Sequence, residues 1–365
     1  MKPVVLLSVL LLLGWSCGQA PVEVPDAGAP DGGVGSDDAG FLPADDAGLN
    51  ADAGGDDAGS EDAGVPDAGG PDAGPFDAGV PDAGRPDAGP PRDAGVCPIP
   101  SGAGDVFRVR AMAANLTSGN LQSYDPGHGA RILQGADPDI VMLQEFNYGS
   151  NSAADISGFV SQTFDGGFSY LRGAGQIPNG VISRWPIVDR GEWADPQVGN
   201  RAFTWARIDI PGPNDLWVVS VHLLTANAST RNSEAVALVS RFAANVPSDD
   251  YLLLGGDFNT DNRGESAFTT FSSRFVVTGP YPADQKGNGG TNSSRSKPYD
   301  NVLASPCLDR LQGAVRVGAS VYPSGLVIDT TVYTPLTELA PAQFGDSNAS
   351  NMQHMGVVRD FFIQP

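Results

Sequence analysis

The chain of 365 residues holds 21 basic and 43 acidic side chains, a formal charge of −22, together with 47 glycines and 30 prolines. That balance excludes a broad basic field as the means of recruiting nucleic acid or an anionic surface. The excess is uneven: residues 1–96 carry 3 basic and 18 acidic residues and residues 97–365 carry 18 and 25, so the second part is only mildly acidic and long enough for one sizeable core.

Residues 1–20 pair Lys2 with an apolar run over 4–13, then Gly14-Trp15-Ser16-Cys17. A ten-residue stretch, apolar but for Ser8, is too short to span a bilayer as a helix, so the segment reads as an export signal. The position of Cys17 resembles a bacterial lipoprotein signal, with Gly14 where such signals usually carry Leu. On that reading a lipid on Cys17 ties the protein to the cell envelope; the alternative is ordinary cleavage near Ala20 and release. Both place the mature protein outside the cytoplasm.

Residues 21–96 are almost wholly Pro, Asp, Ala and Gly, and Asp-Ala-Gly recurs every five residues from Asp52 to Asp87. Such a composition cannot bury a core, and Pro with self-repelling Asp makes a solvated spacer. As a coil it would reach on the order of 50 Å. A calcium-binding repeat is the competing reading, but a five-residue period broken by Pro does not readily converge oxygens on one ion.

Residues 97–365 form the expected globular domain. Cys97 and Cys307 are the two cysteines beyond Cys17, and in an exported protein an even pair reads as a disulfide, with two buried thiols as the alternative. Strands are expected at 107–113, 140–143, 180–183, 203–210, 216–221, 251–254, 301–303 and 355–361. Helices are expected at 129–135, at 229–245 with Ser229 as cap, and at 264–272.

Polar landmarks stand at the ends of these strands. They are Asn115 after the first, Glu145 after Val141-Met142-Leu143-Gln144, His222 closing Val219-Ser220-Val221, Asp257 and Asn259 after Tyr251-Leu252-Leu253-Leu254-Gly255-Gly256, Asp300 in Tyr299-Asp300-Asn301, and His354 before the last strand. In this order the chain resembles the endonuclease/exonuclease/phosphatase superfamily over residues 105–363. The resemblance implies an α/β four-layer sandwich, two mixed β-sheets flanked by helices. It also implies a metal-dependent phosphodiesterase.

By the same resemblance Glu145 and Asn115 hold magnesium, with manganese or calcium as alternatives. An oxygen-bound, partly hydrated Mg2+ needs only one or two carboxylates. Asp257 and Asn259 orient water and phosphate, His222 and His354 manage protons and charge, and Asp300 bonds one histidine. His128, in a Gly-rich loop, is expected to face solvent. The chain departs from the family at Gln353, where Asp is common before the final histidine. It also offers no acid between Ser169 and Trp185 for the mid-domain Glu of nuclease-type relatives.

Arg201, Arg295 and Lys297 are the candidate phosphate contacts. The expected substrate is nucleic acid, extracellular DNA first. A phospholipid or small phosphate ester is the alternative, and a non-catalytic binding domain a more distant one. Nothing in the sequence calls for an obligate protein partner.

Overall fold

A computed structural model describes Cys97, residues 106–212 and residues 214–364, all within the unit Ala83–Pro365. The expected signal and spacer lie outside the described residues.

The first sheet contains β1 (Phe107–Ala114), β2 (Ile140–Leu143), β3 (Ser169–Arg172), β4 (Gly180–Ser183), β10 (Gln312–Gly313), β13 (Leu326–Ile328) and β14 (Gly356–Ile363), in the order β10-β14-β1-β2-β4-β3 with β13 also on β14. The second is β5-β6-β7-β8-β9, from β5 (Ile187–Ala194), β6 (Ala202–Ile208), β7 (Leu216–His222), β8 (Tyr251–Asp257) and β9 (Asp300–Ala304). β11 (Val315–Val317) and β12 (Ser320–Tyr322) pair separately. Both sheets are mixed: β1 runs parallel to β2 and β7 to β8, and the other pairs are antiparallel.

Strand alternation produces the layers, because successive side chains leave opposite faces of a sheet. Val109, Ala111 and Ala113 of β1 meet Val218, Leu253 and Val302 of the second sheet in the central core. Met112 and Ala114, on the other face, meet Ile132 and Leu133 of α1 (His128–Ala136) and Phe159 and Val160 of α2 (Ala153–Thr163). Val219 and Leu254 turn outward to Leu238 and Phe242 of α3 (Ala228–Asn245) and Phe271 of α4 (Ser266–Phe271). The result is helix, sheet, sheet, helix, the expected four-layer sandwich.

Gly255 and Gly256 let the sheets close at one end. A Cβ on Gly255 would lie 2.5 Å from the Met142 side chain. On Gly256, which has φ +134°, a Cβ would lie 2.1 Å from the Val221 carbonyl oxygen and 2.5 Å from Gln144 Nε2. Only glycine tolerates both that backbone and that approach. Gln144 Nε2 donates to Ser220 Oγ at 2.9 Å, and Ser220 Oγ donates to the Leu143 carbonyl at 2.8 Å, tying β2 to β7.

The structure adds β3, β5 and β10 to β13, which the sequence expectations lacked, and departs from them in four further places. α2 is an additional helix, capped by Ser152, whose side chain accepts from the Asp155 N–H. The cap of α3 is Asn227 rather than Ser229, with its side chain accepting from the Thr230 N–H. β8 runs through Asp257, so the acid is a strand residue rather than one beyond it. His128 is half-buried, its Nδ1 3.0 Å from Ser118 Oγ, instead of facing solvent. Cys97 and Cys307 are joined in a disulfide with 5.2 Å between Cα atoms.

Candidate active site

The parallel pairs bring chain ends together at one edge of the sandwich. β1 and β2 end level, Ala114 beside Leu143, and deliver Asn115 and Glu145. β7 and β8 end with His222 beside Asp257. β9 runs the other way, so its first residue, Asp300, is the register partner of Asp257. β14 is antiparallel to β1 and places His354, two residues before its start, at the same edge.

Asp257 is the hub. Its Oδ2 lies 3.2 Å from His222 Nε2, 3.4 Å from His354 Nε2 and 3.2 Å from Asn115 Nδ2, and its Oδ1 accepts from the Asn259 N–H at 2.9 Å. Asn259 Nδ2 donates to the Leu223 carbonyl at 2.9 Å and reaches Asp257 Oδ2 at 3.3 Å. His354 Nδ1 is 3.0 Å from Asp300 Oδ2, and the Asp300 N–H donates to Thr291 Oγ1 at 2.7 Å. Glu145 accepts from Thr117 Oγ1 at 2.7 Å and from Asn115 Nδ2 at 3.4 Å. Glu145 has φ 52° and Asn259 φ 50°, a region costly for residues other than glycine and concentrated at functional sites.

Burial sets the charge states. It raises the carboxyls of Glu145 and Asp300, and brings that of Asp257 to about 6. Burial opposes charge on His354, but Asp257 and then Asp300 outweigh it, and the imidazole rises to about 10. His222 moves well below its ordinary value through burial, with the charges of Arg201 and His354 adding to the effect. The two imidazoles on one carboxylate therefore differ. His354 is imidazolium between two acids, whereas His222, held neutral by burial, stands 3.2 Å from Asp257 without an ion pair.

Asp257, Asp300 and His354 are close enough to hold a metal, each offering an atom within 4.8 Å of the others. The hydrogen bonding argues for a different use, because both His354 nitrogens already face carboxylates and a protonated imidazole is no ligand. The better position for a hard cation is beside Glu145. There Asn115 Oδ1 is buried without any hydrogen-bond donor, so a carbonyl oxygen stands free next to a carboxylate.

The three expected phosphate contacts have different surroundings. Arg295 is not one of them: its guanidinium is bound by Asp329 at 2.9 Å and by Asp284, with Nη1 sealed from water, so it braces loops. Lys297 pairs with Asp261 at 2.6 Å and remains partly exposed. Arg201 is buried, and among the described residues it makes no hydrogen bond or ion pair. Gln353 is exposed beside the buried His354. Sequence reasoning passed over Thr117, although its hydroxyl stands two residues after Asn115, and Glu234, whose role appears only through tertiary contacts.

Two packed mixed sheets that gather three carboxylates and two imidazoles at one edge define an enzyme of mixed α and β architecture fitted to phosphoester hydrolysis. Residues 118–324 match the Endonuclease/Exonuclease/phosphatase family, and the chain belongs to it. Its members hydrolyse phosphoester bonds, generally with a divalent metal. Asn115 and His354 fall outside the matched residues but join the same cluster.

Among solved structures, an endonuclease/exonuclease/phosphatase from Beutenbergia cavernae is similar at 18% identity over 70% of this chain and 72% of that one, with a TM-score of 0.50. A family protein from Bacteroides thetaiotaomicron is similar at 14% identity over 72% of this chain and 100% of that one, with a TM-score of 0.51. These likenesses show the fold. No curated protein matches the chain.

Proposed function

We propose that this chain is an exported, metal-dependent phosphodiesterase acting as a nuclease on extracellular DNA, held at the cell envelope through Cys17. The observation that carries the reading is the row Asp300, His354, Asp257, with contacts of 3.0 and 3.4 Å, lying beside Glu145 and Asn115. A divalent ion, magnesium with manganese or calcium as alternatives, would be held by Glu145 and Asn115 Oδ1 and would supply positive charge to phosphoryl oxygens. Thr117 fixes the Glu145 carboxylate that faces it.

Asp257 accepts a proton from the attacking water, whose oxygen bonds to phosphorus as the ester oxygen leaves. Asn259, fixed by the Leu223 carbonyl, orients the group that Asp257 addresses. His354 donates its Nε2 proton to the leaving oxygen, and Asp300 holds the ring through Nδ1. Water expelled from this buried cluster strengthens each of these interactions.

A polynucleotide is favoured over a lipid because large exposed apolar side chains among the described residues come singly from separate segments, such as Leu121, Val188, Tyr281 and Phe344. Among the described residues no long apolar loop is available to enter a membrane surface. The test incubates the purified protein with plasmid DNA, RNA, sphingomyelin and a simple phosphodiester, with magnesium and with chelator. Metal-dependent DNA cleavage is the expected result. Lipid turnover without DNA cleavage would move the assignment to the phospholipid reading, and silence on all four would point to a binding domain.

A further inference from the structure

β9 is the last strand of the second sheet, and the chain passes from its outer edge to the first sheet in one short arch. The Val276 N–H donates to the Ala304 carbonyl of β9 at 3.0 Å, and at the other foot the Val327 N–H of β13 donates to the Ala283 carbonyl at 3.1 Å. Between the feet, Pro280 and Pro282 have no N–H with which to continue pairing along β9. The Tyr281 hydroxyl donates to the Val277 carbonyl at 3.2 Å and braces the span. Under the arch lies a cavity of about 310 Å³, at the small end of ordinary ligand pockets.

The walls are mainly apolar, with Phe268 of α4, Val277, Val302 of β9 and Val357 of β14 among them. Four charged side chains also line the cavity, and three are already matched. Asp300 faces His354 Nδ1 at 3.0 Å, and Arg359 Nη2 donates to Asp309 at 2.6 Å. The fourth, Arg263, is half-buried, and among the described residues it has no ion pair. Its one hydrogen bond there runs from Nη1 to Asn301 Oδ1 at 3.3 Å, and its guanidinium carbon lies 4.1 Å from the centre of the Tyr281 ring. Stacking occupies the face of a guanidinium and leaves the N–H groups in its plane free to donate. The cavity therefore presents one surplus positive charge, on a planar fork, among apolar walls.

We propose that this cavity is a binding site for a small aromatic carboxylate, with the carboxylate on Arg263 and the ring against the valines and Phe268. The inference goes beyond the hydrolytic site and does not depend on its substrate. A carboxylate accepts two parallel N–H bonds from a guanidinium fork, and its single charge equals the surplus in the wall. Its arrival matches a half-buried cation that otherwise has only an amide oxygen and a ring face. The ring contributes through apolar area taken out of water. Both parts are needed: a neutral ring leaves Arg263 without a counter-charge, and a ringless anion leaves the walls uncovered.

The test titrates the full chain, without magnesium so that no carboxylate can bind a metal, with 2-naphthoate, its neutral amide 2-naphthamide, and acetate. Calorimetry reads affinity and methyl resonances read position. The naphthoate should bind with a Kd below about 1 mM, and the amide and acetate each about tenfold or more weakly, the scale of a charge-assisted hydrogen bond. Because Asp300 belongs both to this wall and to the hydrolytic row, position is read from Val277 and Val357, whose methyl signals should move with the naphthoate. Arg263→Gln should erase the difference between acid and amide. Absence of naphthoate binding overturns the site, as do equal affinities for acid and amide, or binding that leaves both valines unmoved. Those three readings use the wild-type protein and need no variant to fold. An undiminished preference for the acid in folded Arg263→Gln overturns the role of the arginine and with it the proposal. None of the measurements involves turnover, so the result stands apart from the nuclease reading.

Discussion

At the scale of single residues, the site separates groups that hold a cation from groups that hold a proton. Glu145→Gln keeps the side-chain volume but removes the charge beside Asn115, so activity should fall steeply and recover in part as magnesium is raised. His354→Ala removes the imidazolium between Asp257 and Asp300, and the loss, about 100- to 10,000-fold, should not respond to metal. Steady-state rates across a magnesium series check both, and a metal-rescued His354→Ala would reverse the two roles. Glu234 supplies a test by pH away from the metal. Burial, with Asp195 adding, raises its carboxyl from 4.5 to about 8. Between those values the unfolded chain has released a proton that the folded protein keeps, so stability falls as pH rises through this window and levels off beyond it. Glu234→Gln removes that proton, and its melting temperature should drop less than the wild type's between pH 5 and 8; parallel slopes would count against a protonated Glu234. Asn115, Glu145, His222, Asp257, Asn259, Asp300 and His354 were legible because each sits beside an apolar run. Arg295 was misjudged because the acids that bind it, Asp284 and Asp329, are remote in sequence from any motif.

At the scale of elements, legibility followed periodicity. β1, β2, β4, β7 and β8 are buried runs and were visible as such. β5 was not, because five of its eight residues are exposed and no face is consistently apolar. β10 to β13 have only two or three residues each, too few to show a period. α2 is a different failure. Ser152 and Asp155 give the cap, and Ile156, Phe159, Val160 and Thr163 fall at i, i+3, i+4 and i+7, but Gly158 and the neighbouring Ser and Gln residues obscured the stripe. The Gly255-Gly256 pair, visible in the sequence only as the run leading to Asp257, is the place where β8 approaches both β7 and the end of β2. Gly256→Ala should therefore lower the melting temperature and activity together, since a Cβ cannot avoid the Val221 carbonyl at 2.1 Å. Gly199→Ala is the matched control, with nothing within 4 Å of its added Cβ. Equal behaviour of the two variants would show that the sheets have room to separate at this edge.

At the scale of the whole molecule, the question is whether the acidic N-terminal part and the sandwich are mechanically independent. Every residue placed in the chemistry lies between Asn115 and His354, and each is held by partners from within that span. Residues 21–94 carry only scattered large apolar side chains such as Phe41, Leu49 and Phe76, and their acids repel one another, so their composition favours a spacer over a regulatory segment. Their charge has one reach beyond contact: a cloud of carboxylates near an anionic substrate would slow encounter at low ionic strength, an effect that fades once the Debye length falls to about 10 Å near 0.1 M salt. Deleting residues 21–94 should therefore leave kcat unchanged, raise kcat/KM for DNA modestly at low salt, and make no difference at about 0.15 M. A spacer that merely separates the domain from a surface can do no more in solution. If the truncated protein keeps its melting temperature but loses most of its kcat, residues 21–94 contribute to the catalytic state itself, and the spacer assignment has to be abandoned.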